Sequence, residues 1–154
     1  MHFVRLTCVL AILALCLAGC AGGPRKNIFP PRASIQQLAM QADGSWRLQL
    51  RLQNFSNVPM GFATVDAKIE IAGSEAGSVS VSPAIRVGPE SADLFEASLK
   101  PAPAAAAKVA GLRGDGSVRY KLSGHIVTTD PAGDYPYAFE SQLSPVPGLD
   151  GVLR

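Results

Sequence analysis

Cysteine, net charge and long apolar runs are all scarce in this chain. Its 154 residues hold three cysteines, Cys8, Cys16 and Cys20, and all fall in the first 20 positions. The rest of the chain therefore has no thiol pair for a disulfide and no cysteine set for a metal. Fourteen Lys and Arg against 12 Asp and Glu leave a net charge of +2, which excludes a strongly basic nucleic-acid binder and a highly charged disordered tail. The longest apolar run, residues 6–17, is 12 residues long, whereas a bilayer-spanning helix needs about 20. No zinc-ligand spacing, calcium loop, phosphate-cradling glycine motif or paired-carboxylate signature appears, and the length excludes a large multidomain enzyme.

What is present first is an export signal. Residues 1–5 are short and weakly basic, and residues 6–17 have the proportions of a secretory h-region. Leu17, Ala18, Gly19 and Cys20 resemble the lipobox of bacterial lipoproteins. That resemblance implies cleavage before Cys20 and acylation of Cys20, so residues 1–19 are expected to be removed. Two or three acyl chains would hold the product at a membrane, where one chain would not. Cys8 and Cys16 leave with the signal, so Cys20 is the sole cysteine of the 135-residue product. A plain cleaved signal or an uncleaved anchor stands as the competing reading. In lipoproteins of two-membrane bacteria, a residue other than Asp after the cysteine permits transfer outward, and Ala21 stands there. The resemblance thus implies the periplasmic leaflet of the outer membrane.

Residues 20–33 are expected to form the lipidated cysteine and a flexible tether, since Gly22, Gly23, Pro24, Pro30 and Pro31 break any regular element. Arg25, Lys26 and Arg32 either lie near anionic headgroups or belong to a solvated linker.

From there to residue 145 the period is that of strands. Leu38, Met40 and Ala42 are spaced by two and precede the Asp43-Gly44 turn signal. Trp46, Leu48, Leu50 and Leu52 alternate without interruption with Arg47, Gln49, Arg51 and Gln53. Residues 54–60 read as a loop carrying Asn54, Asn57 and Pro59. Ala63, Val65, Ala67, Ile69 and Ile71 form a second long row, followed by a shorter strand with Val79 and Val81 inward and an edge at Ile85 and Val87. Phe95, Ala97 and Leu99 make another row, with Leu94 out of phase. Residues 102–112 favour a short helix ending before Gly111; the alternative is an Ala/Pro linker between two domains. Gly114, Asp115 and Gly116 then turn the chain into Val118, Tyr120, Leu122, Gly124 and Ile126. A connection over residues 130–134 leads to the return strand Tyr135, Tyr137, Phe139, Ser141 and Leu143, where Pro136 suggests an edge. Residues 146–154 are expected to be a frayed tail. Seven or eight half-buried strands with one short helix call for an all-β fold of two packed sheets, a β-sandwich over residues 34–145, with a small barrel as the alternative.

Several of these residues resemble a known family. Asn54 and Asn57, then Pro59 and Met60, a strand from Val65 to Ile71 ending at Gly73, and later Tyr120 and Gly124 are similar in order and spacing to the water stress and hypersensitive response (WHy) domain of the type 2 late embryogenesis abundant proteins. The likeness covers residues 35–143, with Phe55 and Ser56 where the family often has proline. It implies a fibronectin-like, immunoglobulin-like β-sandwich associated with desiccation and stress responses, and it brings no catalytic residues and no cofactor.

His125, the one histidine beyond residue 20, falls on the solvent face beside Lys121 and Ser123, with no nucleophile or orienting group fixed by the spacing. Arg47 and Arg51, with Arg119 and Lys121, would make a candidate basic surface if their strands are neighbours; otherwise they cover solvated faces. Asp130 and Asp134 flank a turn that offers at most a loose cation contact. The reading is a noncatalytic, lipid-anchored envelope protein without cofactor, metal, small-molecule substrate or nucleic-acid partner, acting as a stress-related stabilising or binding module. The alternative is an accessory subunit of an envelope assembly or export complex, pairing through an exposed strand edge.

Overall fold

The computed structural model describes Gly23, residues 25–112 and residues 116–154. Leu17, Ala18, Gly19 and Cys20, and the turn at Gly114 and Asp115, lie outside the described residues. Among the described residues nine strands and one helix follow one another: β1 Arg32–Met40, β2 Trp46–Gln53, β3 Met60–Ile71, β4 Ser74–Val81, β5 Ile85–Val87, β6 Ala92–Leu99, α1 Pro103–Ala110, β7 Val118–Asp130, β8 Ala132–Leu143 and β9 Val152–Leu153. The count exceeds the expected seven or eight because β9 is only two residues long. One sheet has the order β6-β2-β1-β9; the other is β4-β3-β7-β8, with β5 paired to the start of β3. All these pairings are antiparallel.

The β2 alternation decides the first sheet. Trp46, Leu48, Leu50 and Leu52 are buried while Arg47 is exposed, and full burial of each such side chain contributes roughly 1.5–3 kcal/mol. Side chains from both sheets, including Leu38, Leu50, Phe95, Val65, Ile69, Leu122 and Ile126, join one buried cluster. That shared core removes the two-domain reading. The segment between β6 and β7 is a helix as expected, with Pro103 in its first turn and Ala105 and Val109 buried. Its Lys108 ammonium donates to the Ala72 carbonyl and Ser74 hydroxyl in the β3–β4 turn, at 2.7 and 2.8 Å.

Four local expectations are corrected. The row of Leu38, Met40 and Ala42 is cut short: Leu38 and Met40 share a face opposite Leu48 and Trp46, but Met40 is exposed at the strand end and Ala42 lies in the turn, while the register shift between Ile35 and Gln37 brings Ala33 and Ile35 inward with Leu38. In β3 a shift between Phe62 and Thr64 changes the phase, so Met60 and Phe62 are buried ahead of Val65 and Ala63 is only half-buried. Each shift inserts a residue and moves every later side chain to the other face. The C-terminal stretch is not frayed: β9 pairs with Leu38 and Ala39, Leu153 is buried, and Ser144 and Arg154 exchange backbone bonds of 2.7 and 2.9 Å. The β7–β8 connection is also tighter than a five-residue loop, since Thr129 already pairs with Ala132.

The strand directions place two groups of loops at opposite ends. The near end carries residues 25–31, 54–59 and 82–91 and Pro131. The far end carries residues 41–45 and 72–73, α1, and residues 144–151.

Candidate functional site

The loop between β2 and β3 is built on Asn54, which is fully buried. Its side-chain amide donates to the carbonyls of Val58 and Gly88, both at 2.8 Å, and its carbonyl oxygen accepts the Ser56 amide at 2.8 Å. A buried amide is tolerable only with such partners. Asn54 thus ties its own loop to the β5–β6 turn, which it grips at both ends: Gly88 through its side chain and Ser91 through its backbone amide. Pro59 is exposed and ends the loop, and Met60 is buried opposite Val87.

The next residues of this loop hold the chain that precedes β1. The buried Ser56 hydroxyl accepts the Phe29 amide at 2.9 Å. Asn57 accepts the Asn27 amide at 2.7 Å and donates to the Arg25 carbonyl at 2.7 Å. Residues 25–29 are therefore fastened to the near end, which corrects the free-tether expectation for that part of residues 20–33. Ser56 carried no expectation, because a serine in a loop reads as solvated unless its partner, 27 residues away, is known.

The other two motif residues serve the junction of strands. The hydroxyl of Tyr120 on β7 accepts the Ile35 amide on β1 at 3.2 Å, where β1 shifts register. Its ring meets Phe139 edge to face at 6.2 Å. Burial raises the Tyr120 pKa above its ordinary value. Gly124 sits between Ala67 and Tyr137, and a Cβ there would lie 2.1 Å from the Asp66 carbonyl oxygen. The Tyr137 hydroxyl reaches that same carbonyl at 3.3 Å, so its side chain spans β7 at the glycine. Burial, with the Asp66 carboxylate second, pushes the Tyr137 pKa strongly upward.

The four predicted cations are not brought together. Arg47 and Arg51 stand on β2, Arg119 and Lys121 on β7 in the other sheet. Lys121 also faces Glu140 at 3.7 Å. His125 is exposed, and its Nδ1 lies 2.9 Å from the Asp134 carboxylate. Asp130 pairs with Arg86 at 2.9 Å. Among the described residues no three His, Cys, Asp or Glu side chains cluster as metal ligands, and no helix is long and apolar enough to cross a membrane.

Two surfaces stand out instead. At the far end an open groove of about 580 Å³ runs between α1 and the C-terminal segment, lined by Met40, Val109, Pro145, Val146, Leu149 and Leu153. At the near end Ile28, Phe29 and Phe55 are exposed beside Arg25, Lys26 and Arg32, and the Arg32 guanidinium lies 5.1 Å from the Phe55 ring centroid. Apolar side chains at loop positions carry no period, so neither surface was visible in the strand pattern.

No protein-family model matches this chain, and no curated protein matches it. Its fold is similar to the solution structure of AT1g01470 from Arabidopsis thaliana, with a TM-score of 0.56 and 12% identity over 87% of this chain and 94% of that one. Lower scores relate it to At2g46140.1, assigned to the late embryogenesis abundant (LEA) class, at TM-score 0.45, 14% identity, 86% of this chain and 75% of that one. A crystal structure of a protein from Archaeoglobus fulgidus gives 0.41 and 15% over 78% and 98%. The first of these likenesses shows a shared fold.

Proposed function

We propose that this chain is a noncatalytic, lipid-anchored protein of the cell envelope, held at the periplasmic leaflet of an outer membrane through Cys20. Its two sheets form a fibronectin-like β-sandwich of the WHy type, which stabilises macromolecules or surfaces under desiccation or osmotic stress. The observation that carries the reading is the use made of the motif residues. Asn54 closes the inter-sheet loop, Tyr120 pins β1, and Gly124 lets β7 approach Asp66. The motif is thus a folding device, and no reacting group is assembled on it. The Leu17-Ala18-Gly19-Cys20 sequence supports the anchor.

Metabolic acyl labelling of the wild-type chain and of Cys20→Ser tests the anchor: label in the first and none in the second is expected, and label retained by the variant overturns it. Drying a client enzyme with the purified chain tests the stabilising role, which falls if client activity afterwards equals that with an inert protein of the same size. A second reading, an accessory subunit of an envelope complex, is favoured by β8, a 12-residue strand at the end of its sheet. Co-purification of one stoichiometric partner would select it.

A further inference from the structure

We infer that the near end of the domain is a membrane-contact face, seated on the anionic lipid surface to which the chain's own N-terminus is attached. The inference rests on the anchor reading and adds an orientation to it. Asn57 binds the Arg25 carbonyl, and Ser56 binds the Phe29 amide. The chain between Cys20 and Arg25 therefore has five Cα–Cα steps in which to reach a bilayer, at most about 18 Å when fully extended. A domain on so short a leash cannot turn its far end toward the lipid without breaking these bonds.

The surface so presented has the chemistry of an interface. Six large apolar side chains are exposed among the described residues, and three of them, Ile28, Phe29 and Phe55, sit at this one junction. Single exposed apolar residues are ordinary, but three gathered where the chain meets its anchor are not a random scatter. Arg25 and Lys26 precede Ile28 and Phe29 in the chain, and the Arg32 guanidinium lies 5.1 Å from the Phe55 ring centroid. Glu90 joins the junction through its backbone bond to Ser56, and Asp93 is exposed at the start of β6, while Asp130 and Asp134 already face Arg86 and His125, so three cations stand against two free carboxylates. Aromatic and aliphatic side chains flanked by Arg and Lys settle at the headgroup boundary, the rings and stems in the apolar part and the charges among phosphates. The far-end groove between α1 and residues 145–153 then opens away from the membrane, toward the compartment.

The test uses the full chain, matured and acylated, in vesicles containing phosphatidylglycerol. Acylation through its thiol removes Cys20 from thiol chemistry, so an introduced cysteine is the single labelling site. Ile28→Cys at the near end and Leu149→Cys at the far end are labelled with an environment-sensitive fluorophore, and quenching by lipids spin-labelled near the headgroup is read. Quenching several-fold stronger at position 28 than at 149 is expected, falling to the level of 149 when Phe29→Glu is added with the thermal midpoint unchanged. Equal quenching at 28 and 149 on acylated chain overturns the contact face. A reactive Cys20 thiol without acyl mass on the wild-type chain overturns the anchor instead, so the two failures are told apart.

Discussion

The Tyr120 hydroxyl accepts the backbone amide of Ile35 at 3.2 Å, joining β7 of one sheet to β1 of the other at the point where β1 shifts register. A register shift leaves backbone groups without ladder partners, and here a side chain from across the core supplies one. Tyr120→Phe keeps the ring on Phe139 but strips the Ile35 amide of its acceptor. A buried amide left unpaired costs about 1–3 kcal/mol. Urea unfolding should show a lower midpoint with an unchanged slope; a midpoint equal to wild type would show that water or the ladder takes over the Ile35 amide.

Gly124 tests the second strand junction. Alanine there would put its Cβ 2.1 Å from the Asp66 carbonyl oxygen, a backbone atom that cannot rotate away. β3 and β7 would have to part, at a cost of about 2–3 kcal/mol. Tyr137→Phe, which removes only the half-buried hydroxyl bond to the same carbonyl, should cost about 1 kcal/mol. The expected order is Gly124→Ala well below Tyr137→Phe in chemical denaturation, and the reverse order would mean that the close approach relaxes cheaply.

Legibility followed locality. The β2 row needs only neighbours in sequence, and Trp46, Leu48, Leu50 and Leu52 are all buried as their alternation demands. The helix was equally local, marked by Pro103, its alanines and Gly111. Register shifts at Ile35 and Phe62 escaped because nothing in side-chain type signals an inserted residue. β9 escaped because two residues carry no period, and its place depends on Leu38, more than 100 positions away. The loop at Asn54 was visible as a loop, but its burial was not: an asparagine looks the same whether it faces water or the backbone of two loops. The basic rows of β2 and β7 read correctly as outward, yet which sheet each joins is a matter of topology, and topology separates them.

The two raised tyrosines give an alkaline prediction. Burial is the main cause for both, with the Asp66 carboxylate adding to it at Tyr137. Each phenol stays protonated in the folded chain while the unfolded chain ionises near its ordinary value of 10.0. The folded state then binds more protons than the unfolded state, so stability falls as pH rises. The stabilisation is complete below pH about 10 and is lost progressively above it, toward the raised folded pKa values. Urea midpoints at about pH 8 and about pH 11 should differ, and the difference should shrink in Tyr137→Phe. An unchanged difference in that variant would assign the alkaline loss to other groups.

Asn54 and Asn57 lie three residues apart in one loop but do different jobs, and the difference is measurable. Asn54→Ala removes two donors and an acceptor from a fully buried position. The Val58 and Gly88 carbonyls and the Ser56 amide lose their partner, and global stability should drop by about 3 kcal/mol. Asn57 is exposed and holds only the chain ahead of β1, so Asn57→Ala should change the unfolding midpoint by less than about 1 kcal/mol. Its effect appears in trypsin cleavage after Arg25 and Lys26. The Arg25 carbonyl and the Asn27 amide are the two groups that the Asn57 side chain binds, and they belong to the two scissile bonds. A protease needs that backbone free and extended, so cleavage should accelerate in Asn57→Ala while the rest of the domain stays resistant. Cleavage at the wild-type rate would show that Ser56 and the Asn57 backbone amide, which donates to the Asn27 carbonyl at 3.2 Å, keep the segment down, and the short leash would then begin at Asn27 rather than Arg25.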